Sequence, residues 1–196
     1  MSDIKSAREI AMEKLASLGD ATEEERLQWK FLPKGRELAG KYIKEEYNIL
    51  NEITAFNEDE KSYIIRGASE ILARNIELPK NDAIRRTNKR MMDGLKTIKT
   101  DKTGIENIYS RIRQIFSHYT EQGNQQRKQA YEQLKVQYAA KLQQAMQQQL
   151  GTSMSMNIDV EHQPQFQDEW RKLQTQLEGQ YVQHLEEFKR ELIKIP

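Results

Sequence analysis

From Phe166 to Leu192, large apolar side chains recur at three- and four-residue steps: Phe166, Trp170, Leu173, Leu177, Tyr181, Leu185, Phe188 and Leu192. A strand cannot present residues in that rhythm, because its side chains alternate sides at every second position. The spacing predicts a long helix with one apolar stripe, in the heptad-like form through which helices pack lengthwise. Such a stripe needs a second helix, and the stretch from Gly104 to Leu150 offers one. It holds no proline, and Ile105, Ile108, Ile112, Ile115 and Tyr119 are followed, after a polar interval, by Tyr131, Leu134, Tyr138, Leu142 and Ala145. One continuous helix here is about 45 residues and about 67 Å long at 1.5 Å per residue, the alternative being a break at Gly123. Two such helices joined by one loop fold back on each other, so residues 104–196 are expected to form an antiparallel, coiled-coil-like hairpin with a tip loop at 151–165.

Residues 1–103 show shorter amphipathic segments. Ile4, Ala7, Ala11, Leu15 and Leu18 precede Gly19, a natural helix stop. Thr22 with Glu25 forms a capping-box pattern, and Pro33 is expected to interrupt the helix that follows. Leu38, Tyr42, Ile49, Ile53 and Phe56 then continue a helical stripe, and Asn57 with Glu60 opens another helix through Ile64, Ala68, Ile71 and Leu72. "IELPKND" breaks the pattern before Asn81 starts a helix with Ile84, Met91, Leu95 and Ile98 on one side. None of these segments is stable alone, so 1–103 is expected to form a helical bundle. The fold class is all-α.

Hydrophobic residues are 37% of the chain and charged residues 31%, a balance suited to thin amphipathic helices. Basic residues exceed acidic ones by 31 minus 30, so overall charge selects no polyanionic partner. With 0 cysteines there is no disulfide framework, thiolate metal site or thiol nucleophile. No segment approaches the roughly 20 apolar residues that span a bilayer, and the first residues lack the apolar run of a secretory signal, so a cytoplasmic location is expected.

Within the tip loop, Met154, Met156, Ile158 and Val160 fall on alternate positions. An extended segment would place them on one side and leave its backbone groups in need of a neighbour, supplied by a second subunit or an added peptide. The plainer alternative is a loop laid over the helix ends. A two-helix arm is also expected to leave Phe166, Trp170 and Phe188 partly wet, with Leu173, Leu177 and Tyr181 beside them as the arm interface. Each large side chain left exposed forgoes roughly 1.5 to 3 kcal/mol. The candidates to cover them are the first bundle at the base of the arm and a second copy of the chain farther out, a homodimer being the commonest such arrangement.

Other clusters have bland readings. Arg85, Arg86, Lys89, Arg90, Lys96 and Lys99 could follow a phosphate backbone, yet Asp82 and Asp93 are spaced to pair with Arg86 and Lys89 along the helix. A solvated helix face comes first, a nucleic-acid patch second. The glutamine-rich tract from Gln122 to Gln149 carries Leu134, Tyr138 and Leu142 at helical spacing, which reads as an exposed helix with a neutral face. His118, His162 and His184 have no ligand spacing, so no metal is expected, and His184 beside the stripe reads as an interface side chain. Scattered carboxylates and the absence of a phosphate-binding loop predict no enzyme and no cofactor.

The opening "MSDIKSAREIAMEK", with Met1, Ser2, Ile4, Lys5, Ser6, Ala7, Glu9, Ile10, Ala11, Glu13 and Lys14, resembles the start of a small family of bacterial, all-helical, functionally uncharacterised proteins, and "KGRELAGKY" at 34–42 extends the likeness. The resemblance implies a bacterial helical protein, with no ligand or catalytic residue to carry over. The expected function is that of a non-enzymatic structural or adaptor protein that self-associates through the arm and its tip. The alternative is a nucleic-acid or ribosome-associated factor using the basic helix 82–100.

Overall fold

The structure is a computed structural model and describes residues 22–45, 47–150 and 159–196. The helix expected over Ile4–Leu18, the opening motif and the alternating Met154, Met156 and Ile158 lie outside the described residues. Every regular element among those described is helical: α1 (Glu23–Lys44), α2 (Ile49–Thr54), α3 (Glu58–Arg74), α4 (Asp82–Ile98), α5 (Lys102–Thr120), α6 (Gln122–Leu150) and α7 (Pro164–Lys194). No helix among these residues is long and apolar enough to cross a membrane. The chain divides into two compact units, residues 1–72 and 73–196, whereas the sequence pattern changes character at 103/104.

In the first unit, Thr22 and Glu25 form the capping box that starts α1. Contrary to expectation, the helix runs on through Pro33. Pro33 is exposed, so the Trp29 carbonyl deprived of its donor lies on the solvent side, while Phe31, Leu32, Leu38 and Ala39 are buried on both sides of it. The stripe expected to run unbroken to Phe56 is instead cut after Lys44. The Asn48 side chain accepts from the N–H groups of Leu50 and Asn51 and starts α2 afresh. Asn57 and Glu60 cap α3 reciprocally, at 2.9 and 3.3 Å. Helices α1 and α3 approach closely at two glycines: a Cβ on Gly35 would lie 2.0 Å from the Ile64 carbonyl oxygen, and one on Gly67 2.2 Å from that of Leu32. Arg36 ties the same pair of helices through Glu70, at 2.8 and 3.1 Å.

In the second unit, Asn88 on α4 is buried and bonds both backbone groups of Glu77, accepting at 2.9 Å and donating at 2.6 Å, which fixes the irregular 75–81 segment. Asn81 caps α4 through the Ile84 N–H. The long helix of the Gly104–Leu150 stretch is interrupted at Glu121, where ψ is −78°, two residues before Gly123. Gly123 sits inside α6, where it lets the Tyr181 hydroxyl approach: a Cβ there would be 3.1 Å from that oxygen. Helix α7 runs antiparallel to α5 and α6. Tyr131 meets Phe166 and Trp170, Tyr119 meets Glu178, Arg111 meets Glu191, and Thr100 donates to the Pro196 carbonyl.

Candidate partner-binding groove

Helices α4 and α5 are joined by a three-residue turn held by polar contacts on all sides. Lys99 is 3% exposed, and its ammonium donates to the carbonyls of Ile193, at 3.1 Å, and Ile195. Burial pushes Lys99 down to about 8, so it is still protonated at neutral pH. Lys102 donates to the carbonyls of Lys96, Thr97 and Lys99, groups that the end of α4 leaves without helical partners. Asp101 caps α5 by accepting from the Gly104 N–H at 2.8 Å, and a Cβ on Gly104 would collide with that carboxylate at 2.3 Å. Beyond the turn, the Tyr109 hydroxyl donates to the Met92 carbonyl at 2.5 Å. Burial, with the charges of Glu106 and Asp93, holds this phenol well above the ordinary tyrosine range.

Along these helices lies a groove of about 540 Å³. Met92, Tyr109 and Phe116 form its apolar floor; Arg85, Lys89 and Lys96 from α4 and Arg113 from α5 stand on its rim, with Asp93 and Glu106. Glu106 accepts from Lys96 at 2.6 Å and Arg113 at 3.2 Å, and these two bonds hold its carboxyl below the ordinary carboxylate range. Arg85 pairs with Asp82 at 3.2 Å. Lys89 is exposed and has no acidic partner among the described residues.

Of the six basic residues singled out from sequence, Arg85, Lys89 and Lys96 come together on this rim, while Arg86 is exposed away from it and Arg90 does not line it. Lys99 is removed from any surface by its burial against the end of α7. The expected pairing of Asp82 with Arg86 and of Asp93 with Lys89 does not form. Asp82 takes Arg85, one step nearer, and Asp93 turns to the groove. Sequence reasoning missed the α5 wall. Tyr109, Arg113 and Phe116 follow at four and three residues, off the Ile105, Ile108 and Ile112 stripe, and that second rhythm was the available signal.

At Pro79, Arg85 and Thr120 the groove opens into a smaller polar basin of about 270 Å³. Beside it, Glu178 is 7% exposed and accepts from Lys80 at 2.7 Å and from the Tyr119 hydroxyl at 2.8 Å. Burial opposes ionisation of Glu178, but these hydrogen bonds and the charges of Lys80 and Arg127 outweigh it and hold the carboxyl below its ordinary range. The Arg127 guanidinium stacks over the Tyr119 ring, 4.1 Å from its centre, and donates to the Tyr119 carbonyl. The node locks α5, α6 and α7 behind the groove.

The arm-interface residues divide into two groups. Phe166 is fully buried against Tyr131, Tyr138 and Val160, and Phe188 is buried under the Arg111 guanidinium, so one copy of the chain covers both, contrary to expectation. Val160, the last of the four alternating tip residues, is 4% exposed inside that cluster. Trp170 is half-buried with its ring at Tyr131, and Tyr181 is half-buried, with its hydroxyl 2.7 Å from His118 Nδ1. Leu173 and Leu177 are half-buried and line a separate hollow on α7. His162 and His184 each meet one carboxylate, Asp159 and Glu187, and among the described residues no three potential ligands converge on a metal position.

No curated protein and no solved structure matches the chain. A family profile does match, over residues 50–194, which include every wall of the groove. The chain therefore belongs to the family of unknown function DUF6657.

Proposed function

We propose that the protein is a non-enzymatic structural or adaptor protein, and that its α4–α5 groove docks an amphipathic helix of acidic character from a protein partner. The observation that carries this is an apolar floor under a rim with four basic and two acidic side chains. An occupant with a row of large apolar residues would fill the floor. Acidic flanks would answer the excess positive charge, most directly at Lys89. From Glu106 to Thr120 the α5 wall spans about 21 Å, enough to take a helix of about 14 residues. A nucleic-acid backbone would satisfy the rim but leave Met92 and Phe116 without apolar contact.

Fluorescence anisotropy tests the proposal with a labelled peptide of about 14 residues, leucines at helical spacing and glutamates on both flanks. Saturable binding is expected, weakened about fivefold to tenfold at low salt by Lys89→Glu, with the lysine-flanked counterpart failing to bind. Equal binding of the two peptides, or indifference to Lys89→Glu, would contradict it. A nucleic-acid reading has one observation in its favour: Arg86 and Lys89 are exposed and engage no carboxylate among the described residues. Salt-sensitive retardation of an RNA or DNA probe, lost in Arg86→Glu with Lys89→Glu, would favour it over the peptide.

A further inference from the structure

The second unit carries another hollow, of about 850 Å³, with walls from α5, α6 and α7. Its apolar lining includes Ile115, Leu173 and Leu177, all half-buried, beside the buried Phe188. Leu173, Leu177, Gln180 and His184 follow at steps of four, three and four, the spacing of a coiled-coil seam. This seam lies about 100° around α7 from Glu178, Leu185 and Leu192, at 3.6 residues per turn. Those three are already covered by the chain itself. Helix α7 thus has one seam used internally and a second, adjacent seam left half open.

Charge identifies the occupant. In a chain with 31% charged residues, Arg111 is the one fully charged side chain among the lining residues, and Glu191 pairs with it at 2.6 Å. The remaining polar lining is mostly glutamine, including Gln176 and Gln180. A carboxamide donates and accepts at once, so a row of them is its own hydrogen-bonding complement. Depletion of charge around an apolar centre marks the core of a protein interface, above all between like subunits. Neither an acidic partner nor a polyanion gains electrostatically from such a surface.

We infer that this face of α7 joins a second copy of the chain across a twofold axis, with Leu173 and Leu177 at the centre and the glutamines around them. The surface is separate from the groove, so it stands whether or not the groove takes an acidic helix. Sedimentation equilibrium of the full chain from about 1 to about 500 µM covers the range of weak to moderate self-association. A reversible dimer is expected, and Leu177→Arg should raise its dissociation constant at least tenfold, roughly the loss of one central anchor, without loss of helical circular dichroism. Because the chain has 0 cysteines, Gln180→Cys gives a clean cross-linking probe that leaves the leucines in place. A short bismaleimide should trap it as a dimer, while Val136→Cys, exposed on α6, should remain monomeric. A wild-type chain that is monomeric at the highest concentration, or a dimer untouched by Leu177→Arg and cross-linked only through Val136→Cys, overturns the inference.

Discussion

Lys99 brings a charge into a site that is 3% exposed, and the cost of that burial is readable in pH. Its folded pKa of about 8 lies below the ordinary 10.5, so between those values the unfolded chain holds a proton that the folded chain has released. Stability therefore rises with pH across that interval, and the gain is lost as pH falls through 8. Tyr109 and Tyr119 act in the opposite sense. Burial raises both phenols above 10, so they keep their protons when the unfolded chain loses them, and stability falls as pH climbs past 10. Urea unfolding at a series of pH values should show a net increase on the order of 1 kcal/mol from pH 8 to 10, the tyrosines already offsetting part of the lysine's gain, then a decline. Lys99→Met should abolish the increase and leave the decline. A curve that falls steadily from pH 8 would contradict the assigned burial.

Caps and packing rows were the legible part of the elements. Thr22 with Glu25, Asn57 with Glu60, and Asn81 stand where a short polar side chain precedes an apolar rhythm, and each bonds the N–H groups expected of it. Breaks were harder to read. Pro33 failed to end α1 because its missing bond lies on the exposed face, and the long helix is interrupted at Glu121 while Gly123, inside the next helix, admits the Tyr181 hydroxyl. Close crossings left no sequence signal. Nothing in spacing separates Gly35, pressed on the Ile64 backbone, from Gly40, which has nothing within 4 Å of a built Cβ. The two should respond oppositely to alanine. Gly40→Ala should stabilise by up to about 1 kcal/mol through helix propensity. Gly35→Ala should destabilise by about 1 to 3 kcal/mol or more, because the obstacle is backbone that cannot rotate aside. Thermal melts by circular dichroism measure both, and a stabilising Gly35→Ala would refute the close crossing.

For the whole molecule, the all-α class was legible because every long stretch repeats at three or four residues and no paired alternation exists. The candidate site was legible by half: three rim cations could be read from α4, but the floor needs Tyr109 and Phe116, which only the packing of α5 brings opposite Met92. The same packing removed the argument that Phe166 and Phe188 need a second chain, since Tyr131, Tyr138 and Arg111 cover them. Among the described residues two surfaces of different chemistry stand as candidates for a partner, a groove with excess positive charge and a neutral hollow on α7. Met92 provides the most direct test of binding at the groove, because it lies on the groove floor while its neighbour Met91 is buried at 1% exposure in the core behind. Methionine-methyl NMR of the full chain, titrated with the acidic amphipathic peptide, should shift the Met92 signal saturably and leave Met146, which lies on α6 and does not line the groove, nearly in place along with Met91. A peptide that binds without moving Met92, or moves all the methionines alike, would contradict the account.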